Sequence, residues 1–158
     1  MPLSDFFILP FGVQAFAILV DEFVFHRSRN LPRWERLGHP IDTFSVVLCY
    51  LFIFALAPSL QNIYIYSGLC LISCILVTKD EFIHRKVCGG AESWLHAVLF
   101  LAHPVTFIVA GIIWQDHATR VQANDFLWMV LQLQLLAMAG FLFYQILYWN
   151  YLCKTKPT

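Results

Sequence analysis

The sequence predicts an all-α integral membrane protein with five transmembrane helices, and three observations carry that reading. The first is composition. Of 158 residues, 59% are hydrophobic and 13% are charged, and the mean hydropathy is +0.68. A soluble domain of this length has too little polar surface to cover so much apolar material. The second is the presence of five apolar runs, each close to the ~20 residues that cross a bilayer's hydrocarbon. The third is a phrase that occurs twice. Asp21-Glu22-Phe23, His26-Arg27 and Glu35-x-x-x-His39 return as Asp80-Glu81-Phe82, His84-Arg85 and Glu92-x-x-x-His96. Each copy follows an apolar run, so the expected architecture is two parallel helix-hairpin repeats, helices one-two and three-four. A pseudo-two-fold along the membrane normal would relate them, with a fifth helix outside the repeat. Residues 1–158 read as one polytopic domain.

The first span is expected from about Phe6 to Phe25, with Asp21, Glu22 and His26 at its inner end. At ordinary helical spacing only one of two adjacent carboxylates can face a shared site, so Asp21 and Asp80, with Glu35, are expected in supporting or ion-paired roles. The second span is expected from about Ile41 to Ala57. It would open on His39-Pro40-Ile41-Asp42, where proline's missing N–H costs nothing. The short Pro58–Asn62 link makes helices two and three an antiparallel hairpin. The third span, about Ile63 to Thr78, is the shortest. The fourth, about Ser93 to Trp114, continues a stripe on which Glu92, His96 and His103 stand at i, i+4 and i+11. At ~1.5 Å rise per residue, His103 lies about 10 Å deeper than His96. Pro104 follows it, a kink or a tolerated membrane-helix proline. The fifth span covers about Phe126 to Tyr148. MPLSDFF lacks a basic n-region, so a cleaved signal peptide is not expected.

Nine of the ten basic residues bracket the inner ends of the spans: Arg27, Arg29, Arg33 and Arg36, then Lys79, Arg85 and Lys86, then Lys154 and Lys156. Arg120 alone falls on the other side. The positive-inside rule puts the N-terminus outside, the C-terminus in the cytoplasm, and both copies of the phrase on the cytoplasmic side. Trp34, Trp114, Trp128 and Trp149 read as interfacial belt residues. The five cysteines have no zinc spacing and read as structural.

Ionisable residues at a membrane border are expensive and need a compensating interaction. Metal coordination by Glu22, His26, His39, Asp42, Glu81, His84, Glu92, His96 and His103 is the reading that accounts for all of them. His117, in the outer loop, is expected to be solvated. Nine oxygen and nitrogen donors exceed what one tetrahedral zinc uses. They suit two divalent transition-metal ions, iron by preference and zinc as the alternative. Glu81-x-x-His84 resembles the Glu-x-x-His element of ferritin-like di-iron proteins, whereas Glu22-x-x-x-His26 is one residue longer. The His-x-x-x-His and His-x-x-His-His boxes of membrane hydroxylases and desaturases are missing, so that similarity is one of ligand type and placement.

A di-metal site at the cytoplasmic border implies an enzyme acting on a lipid or other hydrophobic small molecule. Oxidation, hydroxylation or desaturation is the first reaction class, with an electron-donor protein as partner if the metal is iron. Zinc-dependent hydrolysis of a lipid is the alternative, with the metal activating water. No serine or cysteine stands in an evident nucleophile–base pairing. A divalent-metal transporter needs polar groups through the whole depth, and the outer halves offer few beyond Gln132 and Gln134. Haem-based electron transfer needs histidine pairs but no carboxylates. A net charge of zero implies no nucleic-acid partner.

Overall fold

The computed structural model describes residues 6–27, 33–79, 88–119 and 125–153, and these fold into five helices with no strands among them. We number them α1 (Leu9–Val20), α2 (Arg33–Ala55), α3 (Leu60–Thr78), α4 (Gly90–Thr119) and α5 (Asp125–Leu147). Two π-helical turns extend them, Asp21–His26 on α1 and Tyr148–Leu152 on α5. All five are long and apolar enough to cross a membrane. The second copy of the repeated phrase, from Asp80 through Arg85 and including Glu81 and His84, lies outside the described residues.

Helix α4 is the centre of the bundle. Helix α1 packs chiefly on α4, α2 chiefly on α5 and α3, and α3 also on α4. The α2–α3 turn is closed by local hydrogen bonds. Ser59 caps α3 by accepting from the Asn62 backbone N–H at 3.2 Å, and the Asn62 side chain donates to the Ala57 carbonyl at 2.8 Å. Trp114 reaches across from α4 and donates to the Leu56 carbonyl at 2.9 Å.

The interior is divided along the helix axes. One half is apolar and aromatic, with Tyr50, Ile53, Tyr66, Phe107, Trp114 and Leu131 fully buried or nearly so. The other half buries Gln14, Asp21, Glu22, His26, Glu35, Asp42, Glu92, His96 and His103. The outer surface is the reverse of a soluble protein's. Phe16, Leu71, Leu101, Ile108, Leu136 and Phe143 are all more than 60% exposed, which in water would be an aggregation hazard.

Three expectations are corrected. Helix α2 begins two turns before Ile41, at Arg33, so Pro40 sits inside the helix and not on its first turn. Glu35 in the first turn faces the positive end of the helix dipole, which contributes about 0.3–1 kcal/mol and offsets part of the cost of the interior proline. Trp114 and Trp149 are buried core residues and not belt residues, at 2% and 1% exposure. Each carries an indole N–H, which needs a partner once buried and finds one. His117 belongs to the last turn of α4 and stacks flat on Trp128, with ring centroids 4.0 Å apart.

Candidate metal centre

The site is built around the π turn at the end of α1. There the Arg27 N–H bonds to the Glu22 carbonyl, five residues back, at 3.0 Å. In an α-helix, residues five apart diverge by about 140° at ~100° per residue. The wider π turn brings them onto one face. Asp21, Glu22 and His26 therefore all point inward and are all buried. The expectation that one of the paired carboxylates turns away does not hold for Asp21-Glu22, and the extra residue in the turn is the reason.

Asp21 bridges two imidazoles. One oxygen lies 3.2 Å from His96 Nε2, and the other 3.5 Å from His26 Nε2. Glu92 approaches from the first turn of α4, with Oε1 4.0 Å from the same His26 nitrogen. Asp21, His26, Glu92 and His96 thus each offer a ligand atom, and the four atoms lie within 4.8 Å of one another. The His96–Asp21 separation is that of a hydrogen bond, and the other two exceed the 2.7–3.2 Å of a good one. All are of the order expected for ligands around one ion at ~2.0–2.2 Å bond lengths.

A second group adjoins it. His39 Nε2 stands 3.9 Å from Glu35 Oε1, one turn away on α2, and the His39 ring lies 4.5 Å from that of His26. His26, Glu35 and His39 also offer ligand atoms within 4.8 Å of one another. The two groups share His26, so they form one continuous site contributed by α1, α2 and α4.

The other sequence candidates lie around this pair. Glu22 faces His26 Nδ1 at 3.8 Å through one oxygen. Its other oxygen accepts from Trp149 Nε1 at 2.7 Å and from the Tyr144 hydroxyl at 3.1 Å, both on the α5 side. Asp42 accepts from Lys79 Nζ through both oxygens, at 2.6 and 2.7 Å. His103 uses both ring nitrogens on protein partners, Gln14 at 2.8 Å and Ser73 at 3.1 Å. Glu81 and His84 are outside the described residues. Asp21 and Glu35, expected only in support, stand inside the two ligand groups. For Glu35 the signal was present in the sequence as Glu-x-x-x-His, and the later helix start concealed it.

The His103 contacts belong to a chain of hydrogen bonds whose direction can be derived. Ser73 Oγ lies 2.7 Å from Ser45 Oγ, and the Ser45 hydroxyl donates to the Asp42 carbonyl at 2.6 Å. A carbonyl only accepts, so the Ser45 proton is committed to Asp42. Ser73 must then donate to Ser45, His103 must donate from Nε2 to Ser73, and Gln14 must donate from Nε2 to His103 Nδ1. With a neutral imidazole, this is the one arrangement that places a proton in each of the four contacts. It also denies His103 the role of base toward Ser73, because the proton already sits on the nitrogen that would have to accept one.

A cavity of about 110 Å³ joins this chain to the ligand groups. Asp21, His26, His39 and His96 line one part, and Gln14 and His103 another, with Leu99, Phe100, Met138 and Phe141 among its apolar walls. Comparison with protein families, characterised proteins and solved structures yields no match for the chain.

Proposed function

We propose that this chain is a metal-dependent integral membrane enzyme. The observation that carries the proposal is the buried Asp21–His26–Glu92–His96 group, four donors of two ligand types within 4.8 Å inside an apolar bundle. Burying carboxylates is costly unless opposite charge accompanies them. Asp21, Glu22, Glu35 and Glu92 are four such carboxylates in one neighbourhood. Two divalent ions with neutral imidazole ligands balance all four charges, whereas one ion leaves two to be met by protons. Iron is the preferred metal, since mixed carboxylate and imidazole sites suit it, and zinc is the alternative.

Five spans cross the membrane in this reading, with the N-terminus outside and the site on the cytoplasmic side. Members of both copies of the phrase meet in one cluster, Asp21 and His26 from the first and Glu92 and His96 from the second. That meeting supports the two-repeat reading, in which Glu81 and His84 of the second copy are further candidate ligands. Asp21, His26, Glu92 and His96 would hold one ion, and Glu35 and His39 the other. Glu22 closes the ring, held in place by Trp149 and Tyr144.

Bound iron supplies oxidation of a hydrophobic substrate by dioxygen, with an electron-donor protein providing the balancing electrons; hydroxylation and desaturation are the reactions of that class. The protein's own contribution is positional. Leu99, Phe100, Met138 and Phe141 receive an apolar substrate beside the ligands and keep water from it. The packed aromatic half, from Tyr50 to Trp114, offers no polar path through the bundle, which supports an enzyme over a transporter.

Elemental analysis of the purified protein tests this. Two equivalents of iron are expected in wild type, less than half of that in His96→Ala and Asp21→Asn, and an unchanged content in His117→Ala. Two equivalents of zinc, insensitive to oxygen and reductant, would move the reaction to lipid hydrolysis. No metal in either purified or metal-supplemented protein would end the proposal.

A further inference from the structure

The hydrogen-bond chain fixes more than the tautomer of His103. Because Gln14 spends its amide nitrogen on His103 Nδ1, its amide oxygen is the end left without a partner, in a residue that lines the cavity together with His103. Gln14 is 2% exposed, and its Oε1 finds no donor among the described residues. An amide oxygen buried without a donor forfeits the full cost of its desolvation. Turning the amide over does not relieve it, since oxygen would then face an imidazole nitrogen that already needs a proton. Gln14 is therefore held as an acceptor, by contacts that run through α4, α3 and α2.

We infer that the substrate carries a hydrogen-bond donor, a hydroxyl or an amide N–H, which it presents to Gln14 Oε1. Resting on the metal-enzyme reading, this narrows the substrate from any hydrophobic molecule to an alcohol- or amide-bearing one. Esters, ethers and plain hydrocarbon leave the acceptor unmet. The cavity's size sets a second bound. At about 110 Å³ it is smaller than the ~150 Å³ cavity that takes up benzene. It therefore admits the donor-bearing end of an amphiphile and not a sugar or nucleotide head group. The donor binds at the Gln14 level, and the carbons that follow it pass the level of Asp21 and His96.

The test uses full-length, metal-free protein in detergent, so that it does not depend on the metals. The probes are 1-octanol, octanamide and heptyl methyl ether, the last an isomer of octanol without a donor. Binding is read from the probe concentration that half-saturates the rise in unfolding temperature. At least one donor probe is expected to bind about tenfold or more tightly than the ether, and the preferred donor, hydroxyl or amide, identifies the substrate's group. In Gln14→Met the preference should shrink to within about twofold. Equal binding of all three probes to wild type overturns the inference, with no variant needed, and would mean that water serves Oε1 in solution. Donor preference in a protein that binds no metal would keep Gln14 as the acceptor for a bound ligand and end the enzyme proposal. Metal binding without donor preference would do the opposite.

Discussion

Glu22 shows how a single side chain ties the site to the rest of the bundle. Its carboxylate lies between His26 of its own turn and the Trp149 and Tyr144 donors of α5. Replacing Trp149 by Phe keeps the ring's bulk and removes one donor to a buried charge. A loss of about 1.5–3 kcal/mol is expected, the usual worth of a hydrogen bond to a charged group, and denaturation in mixed micelles measures it. A change below about 0.5 kcal/mol would mean that the indole contributes only packing. Spacing alone put Glu22 with His26, and Glu92 with His96, on shared helix faces, because i, i+4 pairs on one helix are neighbours. It could not rank Asp21 above Glu22, since that order depends on a turn with one residue more than an α-helix. Nor could it show that Lys79 occupies Asp42, or that Gln14 and Ser73 occupy His103, because those partners are 37, 89 and 30 residues away in the chain.

At the scale of the helix, the π turn is the decisive element. It places Asp21 and His26 on one face and leaves Val24 pointing outward, at 57% exposure. Deleting Val24 should restore ordinary α-helical winding with Asp21 and His26 four apart, about 40° from each other and still on one face. The expected outcome is a folded helical protein that keeps at least half of its bound metal, with circular dichroism and elemental analysis read on the same sample. Loss of nearly all metal from a folded protein would show that the extra residue does more than keep these two side chains aligned. A matching π turn ends α5, where the Cys153 N–H bonds to the Tyr148 carbonyl at 2.7 Å and Trp149 is turned inward. Hydrophobic runs made the five helices legible. Their ends were less so, because a helix that projects beyond an apolar run, as α2 does from Arg33, carries no hydropathy signal there.

Over the whole molecule, the described basic residues Arg27, Arg33, Arg36 and Lys79 all stand at helix ends on the side of the polar half, in keeping with the basic asymmetry of the sequence. That asymmetry predicts where the chain faces the cytoplasm. Single cysteines at Arg29 and Lys86, in a background with native cysteines replaced, should be labelled only from the cytoplasmic side, and one at Gln122 only from the outside. Labelling of the first two from opposite sides would separate the two copies of the phrase and remove the basis for a shared site. Five helices long and apolar enough to cross a membrane were legible from composition and hydropathy. The repeat was legible as a pattern, but only coordinates bring Glu92 and His96 beside Asp21 and His26, because that depends on α1 packing against α4 rather than chiefly on its sequence neighbour α2.

The row of hydrogen bonds from Gln14 through His103, Ser73 and Ser45 invites comparison with the files of donors that conduct protons through membranes. This one cannot conduct. A proton hop along such a file requires each member to take a proton at one end and release one at the other, after which the whole file must turn around. Here the file begins at an amide that does not give up its hydrogen and ends at the Asp42 backbone carbonyl, which has none to pass on. It also runs crosswise, from helix to helix, and not from one face of the bundle to the other. A bundle stitched in this way can carry imidazoles and hydroxyls in its interior without forming a proton-conducting file.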